Sequence, residues 1–398
     1  MLAVISQPTP LDKAFNYFVV LISPVCAVYS LSVNCDVKFF KRIWPIGLLT
    51  FWVSWCLLVF TPKEYWPDQT QIISVLLALV IGSQISRAEL RLLRWCILFL
   101  AVLFSVVVLV WARGLLGEAL SGSVKQRLGA DISAANVIFM PRVYYTLVFT
   151  CFATVALERR LWLQAVGIAA MAVPAALGLG SGGRGPLVAL VVAVLVFTVG
   201  LIRHIGRLRL IVITAAFAVL GYKSVTTLFP IIARRAVEDD TLRISFYGGT
   251  WESIREGLSV LGRGKGDEYA HNIFLEFIQD YGLIGFVLFA LFLYFGLKEM
   301  WSVYRNTRDA DVLWAIGILL IQLTAQQFSL DIYVGALWAA LVLPIGVGWW
   351  HEKMAAGISL PRPGPFRQGD LIYDKKMQDF GSGRKAPLRT TQTPERVG

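Results

Sequence analysis

The sequence predicts an all-α polytopic membrane protein: a bundle of about 11–12 transmembrane helices with a large outer loop that contains short helices. Three observations predict it. Of the 398 residues, 57% are hydrophobic and only 16% charged, with a mean hydropathy of +0.65, so the apolar residues supply roughly eleven spans at about 20 residues each. The charge is concentrated, with 13 charged side chains in residues 229–270 and 14 in residues 351–398. Finally, Lys and Arg alternate in density from one connecting loop to the next. An ordinary soluble domain is excluded by this composition.

Eleven apolar segments follow in order: 15–33, 43–61, 70–86, 95–115, 141–157, 161–179, 186–202, 208–228, 273–297, 312–329 and 331–350. Each is long enough to cross the hydrocarbon core or nearly so, and each is bounded by charge, Gly or Pro. A missed or re-entrant segment near the start would reverse the side on which the N-terminus lies. Trp44, Trp66, Trp95, Trp111, Trp162, Trp301, Trp349 and Trp350 lie at or near segment ends, where indole rings anchor at the headgroup level.

The loops after odd-numbered segments hold Lys38, Lys41 and Arg42; Arg87, Arg91 and Arg94; Arg159 and Arg160; Arg203, Arg207 and Arg209; and Lys298, Arg305 and Arg308. The short even loop at 62–69 has only Lys63, and the turn at 180–185 only Arg184. The positive-inside bias therefore assigns odd loops to the cytoplasm and even loops to the outer face, with the N-terminus outside. It also accounts for the net charge of +11 without nucleic acid. The first apolar run reads as a retained helix rather than a cleaved signal. Residues 1–350 form the membrane domain, and 351–398, rich in Pro, Gly, Lys and Arg, form a disordered basic cytoplasmic tail. Cys26, Cys35, Cys56, Cys96 and Cys151 have no CxxC spacing and read as small packing residues, with no metal site or disulfide framework.

Two outer loops are long, 116–140 and 229–270. A structureless loop of the second length is improbable unless it is functional or has its own helices. Trp251, Ile254, Leu258 and Leu261 recur at helical spacing within Thr250–Leu261, which predicts one helix there.

Three features carry chemistry. His271 and Asn272 open the ninth segment; an imidazole at a helix N-terminus is held neutral by the macrodipole, which suits a general base, although a histidine packed at a cap has the same position. The outer turn Gly180-Ser181-Gly182-Gly183-Arg184-Gly185-Pro186 sets one cation on a Gly-rich backbone able to form an anion nest, and it is not a P-loop because no GK[ST] follows. The long loop sets Arg234, Arg235, Arg243, Arg255, Arg263 and Lys265 against Glu238, Asp239, Asp240, Glu252, Glu256, Asp267 and Glu268. A solvated mixed-charge surface accounts for most of these. If the loop folds over the outer face, Arg184, Arg243 and His271 converge on one cavity suited to transfer from a lipid diphosphate, with no metal and no cofactor.

The string His271-Asn272, nine residues, then Gly282-Leu283-Ile284-Gly285 resembles the H[NSQ]-x9-GxxG signature of the O-antigen ligase family, within the ligase and polymerase superfamily of bacterial surface glycans. Ser181 to Arg184 is similar to the family's SGSR-type turn, with Gly at the third place. Arg243, Trp251 and Gly262-Arg263-Gly264-Lys265-Gly266 resemble the segment leading into the His motif. The similarity covers about residues 175–290. It implies about twelve spans with the N-terminus inside, where the loop count has eleven and an outer N-terminus.

The resemblance further implies a periplasmic cavity that holds an undecaprenyl-diphosphate-linked glycan. There His271 activates an acceptor hydroxyl and Arg184 and Arg243 hold the diphosphate, while Asn272, Arg263, Lys265, Arg234 and Asp239 are further candidates for substrate binding. The expected activity is O-antigen ligase-like glycosyl transfer onto lipid A-core oligosaccharide at the bacterial inner membrane. A polymerase or protein O-oligosaccharyltransferase of the same superfamily shares the donor chemistry. A lipid-linked glycan transporter is the reading from another class; it expects ionisable residues in mid-membrane, where Glu276 and Asp280, near an outer end, are the nearest examples.

Overall fold

The computed structural model describes residues 37–62, 85–111, 134–180, 184–202, 260–264, 272–327 and 335–355, together with positions 75, 78, 79, 82, 114, 248, 251, 252, 254 and 255. The chain divides into two units, Met1–Lys353 and Met354–Gly398, and only Met354 and Ala355 of the second are described.

Among the described residues the protein is all helical, and eight helices follow in order: α1 Val37–Phe60, α2 Arg87–Trp111, α3 Ala134–Leu157, α4 Leu161–Gly180, α5 Arg184–Leu201, α6 Ile273–Thr307, α7 Ala310–Ala325 and α8 Gly335–Ala355. They match eight of the eleven predicted segments. The segments 15–33 and 208–228 lie outside the described residues, and 70–86 is described only at scattered positions. Three stretches are long and apolar enough to cross a membrane: Glu89–Val110, Leu161–Leu179 and Ile273–Thr307. The protein is therefore a membrane protein with apolar helices. Phe51, Leu58, Phe99 and Val199 stand exposed on the helix surfaces, as side chains facing lipid do.

Several helix ends run beyond the predicted ones. Lys38, Lys41, Arg42, Arg87, Arg91, Arg94, Lys298 and Arg305 were expected in loops and lie inside helices. Hydropathy marks where the hydrocarbon ends, whereas a helix continues while its backbone hydrogen bonds are satisfied, into water where charges are solvated. The start of α2 shows the local signal for this. Ser86-Arg87-Ala88-Glu89 is a capping box, in which the Ser86 amide donates to Glu89 Oε2 at 2.6 Å. The predicted helix Thr250–Leu261 is described as helical at Trp251, Glu252, Ile254 and Arg255, but Val260 and Leu261 form a bend. The Val260 carbonyl is bound instead to α6 and the Leu261 carbonyl to α1, as shown below.

Three apolar clusters hold the helices together. Phe149, Phe197, Leu313 and Trp314 lock α3, α5 and α7; Leu49, Phe277, Phe289 and Leu341 join α1, α6 and α8; Ala101, Leu147, Cys151 and Ala170 join α2, α3 and α4. Cys56 and Cys151 are buried free thiols, while Cys96 is exposed on α2. Between α3 and α7 the packing includes polar groups. Thr146, Thr150 and Thr154 each donate to the carbonyl four residues back at 2.9 Å. The Trp314 indole donates to Thr150 Oγ1 and the Gln322 amide to Thr146 Oγ1, both at 3.3 Å. Such contacts suit helices in lipid, where an apolar environment gives the hydroxyls no water.

The threonine row ends at an ion cluster. Arg94, only 2% exposed, donates through Nε to Asp311 at 2.7 Å, through Nη2 to Glu158 at 3.2 Å and through Nη1 to Thr154 at 3.4 Å. The loop charge pattern counts Arg94 among the cations that orient the chain. It is instead a buried bridge, because Asp311 and Glu158 come from two other loops of the same predicted set. Those three odd-numbered loops thus share one end of the bundle.

Candidate functional site

Helix α6 begins at an Asn cap and breaks after nine residues. Asn272 is extended (φ −146°, ψ 123°), and its side-chain oxygen accepts from the amides of Phe274 at 2.9 Å and Leu275 at 3.3 Å. Regular helix then runs to Gly282, where φ is 68° and ψ −172°. The nine residues between the cap and the break make about two and a half turns, some 13 Å long. The spacing of the sequence signature is thus the length of one short helical segment.

The break releases the carbonyls at the end of that segment, and a loop takes them up. Arg263 N donates to Gln279 O at 3.4 Å and Gly264 N to Asp280 O at 3.0 Å, while Ile284 N returns a hydrogen bond to Val260 O at 3.3 Å. The Trp52 indole of α1 donates to Tyr281 O at 2.9 Å, and Cys56 Sγ to Leu261 O at 3.4 Å. The backbones approach so closely that a side chain on Gly262 would sit 2.7 Å from the Tyr281 carbonyl carbon, and one on Gly282 would overlap Gly262 and Val260. Gly262 (φ 87°) and Gly264 (φ 78°) share the positive φ of Gly282. Only glycine enters these conformations without strain. A side chain on Gly264 would in turn meet the backbone of Phe60 and Thr61, at the end of α1.

Two pieces of sequence recognised separately, the Gly262–Gly264 run and Gly282–Gly285, are therefore one packed unit at the head of α6. Within it, Glu276 and Asp280 lie one turn apart on the same face of the segment, at 2% and 4% exposure. Neither was named as a site residue. The available signal was their i, i+4 spacing inside an apolar span, where ionisable residues are costly and mark function.

The named site residues fall out as follows. Asn272 has its side-chain oxygen engaged in capping the start of α6. Arg263 is exposed, with its backbone bound to α6. Arg184 is the first residue of α5, and its side chain lies outside the described residues, as do His271, Arg243, Lys265, Arg234 and Asp239 altogether. Helix α4 starts beside Glu158 of the ion cluster, and α5 ends at Gly200 and Leu201, where the Gly200 carbonyl accepts from the Tyr304 hydroxyl of α6 at 2.8 Å. Arg184 and Asn272 therefore both begin helices at the end opposite the cluster. Among the described residues no group of His, Cys, Asp and Glu is arranged to hold a metal ion.

Removing the cap is a mild perturbation. Asn272→Ala is expected to cost about 1 kcal/mol, read as a small downward shift of thermal unfolding in detergent. An unchanged transition would mean that the cap does not hold the segment.

Comparison with protein-family models, with curated proteins and with solved structures returned no match.

Proposed function

We propose that the protein is an O-antigen ligase-like glycosyltransferase of a bacterial inner membrane, acting at the periplasmic face. It moves a preassembled glycan from undecaprenyl diphosphate to lipid A-core oligosaccharide, without a metal. His271 accepts the proton of an acceptor hydroxyl as that oxygen attacks the anomeric carbon. The bond from that carbon to the diphosphate breaks with inversion, and Arg184 and Arg243 neutralise the departing diphosphate.

The observation that carries the reading is the docking of Val260–Gly264 on the Gly282 break. It gives a physical task to the glycines of the signature and to the glycine run ahead of it, and it builds a rigid seat for the helix that follows His271. Rigid support of this kind is what a general base needs if its geometry is to match a transition state.

One observation favours the transporter instead: Glu276 and Asp280 are buried in α6, and Arg142 is buried in α3. Covalent transfer by purified protein, given lipid-linked donor and acceptor in detergent, separates the two. Transfer that falls to background in His271→Ala is the expected result, with donor binding weakened in Arg184→Ala and Arg243→Ala. Undiminished transfer in His271→Ala removes the base, and no transfer under any acceptor removes the enzyme. Deletion separates ligase from polymerase: lipopolysaccharide without any O-antigen is expected, and a persisting single-repeat band assigns the polymerase.

A further inference from the structure

At the other end of the bundle, α5 and α6 flank a groove of about 730 Å³. Leu195, Val199 and Gly200 line it from α5, and Trp301, Arg305 and Arg308 from the end of α6 and the residue beyond it. Tyr304 ties the two sides together, being 2% exposed and hydrogen-bonded to Gly200 O. Leu195, Val199 and Trp301 are each about half or more exposed, so the groove opens onto the apolar surface that meets lipid tails.

Its polar end has one sign. Arg305 and Arg308 are both exposed, and no carboxylate among the described residues pairs with either. Arg308 is held in an unusual way. It is the C-cap of α6 in the left-handed region (φ 53°, ψ 28°), its amide donating to Tyr304 O at 2.7 Å. Its guanidinium lies 5.8 Å from the Tyr304 ring centre. Most helices give that conformation to glycine, and a non-glycine residue kept there points to a task. The loop charges assign this end to the cytoplasmic side, where the leaflet is anionic.

We propose that this groove is a binding site for one anionic phospholipid. An acyl chain lies along Leu195 and Val199, Trp301 stands at the headgroup level, and Arg305 and Arg308 hold the phosphate. An acyl chain matches the apolar walls, and a phosphate ester matches two adjacent guanidiniums, which bind it in a planar, bidentate way. The site is remote from the head of α6 and stands independently of the transferase reading.

The test is native mass spectrometry of the delipidated full-length protein titrated with phosphatidylglycerol, following the first lipid bound. Each basic residue near a headgroup is worth about fivefold in affinity, so Arg305→Ala/Arg308→Ala is expected to weaken binding roughly thirtyfold. Lysine at both positions should keep most of it. Val199→Trp, which fills the groove and leaves both charges, should also lose the lipid, and phosphatidylcholine should bind more weakly than phosphatidylglycerol. Phosphatidylglycerol binding unchanged in the double alanine variant and in Val199→Trp overturns the site. Displacement of the lipid by glycerol phosphate alone, at equal affinity, shows a small-anion site and overturns the lipid.

Discussion

Replacing Gly282 by alanine is expected to destabilise the protein by about 3–5 kcal/mol, read as a loss of folded protein in thermal or denaturant unfolding in mixed micelles. Two effects combine. The conformation at 282 (φ 68°, ψ −172°) belongs to a region that only glycine populates, and imposing a side chain there costs about 1–3 kcal/mol. The new methyl would also overlap the backbone of Gly262 and Val260. The loop must then withdraw, losing hydrogen bonds to Gln279 O and Asp280 O that are worth about 1 kcal/mol each. Leu283→Ala, one residue on at an exposed position, serves as the control and should unfold close to the parent. If Gly282→Ala unfolds like Leu283→Ala, the break is not held by the glycine and the docked unit is not a source of stability.

Arg94→Ala should be as severe, at about 3–5 kcal/mol, because it leaves two largely buried carboxylates, each about 15% exposed, without their cation. Arg94 serves Asp311 through Nε and Glu158 through Nη2, so a lysine, with a single compact charge, should recover only part of the loss. The diagnostic variant is the double replacement Arg94→Leu/Asp311→Leu. With the cation and its nearer partner both removed, it should be more stable than Arg94→Leu alone. Additive losses in that cycle would show that the pair is not coupled and that Arg94 acts through packing.

Much of the helix pattern was legible because lipid allows few alternatives: an apolar run of about 20 residues has to be helical. The helix ends were less so. Hydropathy is silent about Arg87 to Arg94, where the Ser86–Glu89 capping box begins a helix amid charge. The site was legible as separate strings. Gly282 and Gly285 stood out by spacing, as did the run at Gly262–Gly264, but their contact depends on backbone groups that no side-chain pattern reports. Arg94 was misread for a related reason. An arginine in a basic loop looks like an orienting charge until the fold brings Asp311 to it from 217 residues away. Glu276 and Asp280 were visible as carboxylates in an apolar span, and only their burial sets them apart.

The Arg94 bridge also imposes a timetable on biogenesis. Chains grow at about 5–20 residues per second, so Arg94 is made about 10–40 s before Asp311 leaves the ribosome, with Glu158 arriving within about 3–13 s. For that interval α2 has one carboxylate partner instead of two. The Arg94–Asp311 bridge closes only after α6 has been made. Late helices thus complete an early one, since α7 brings the second charge to α2.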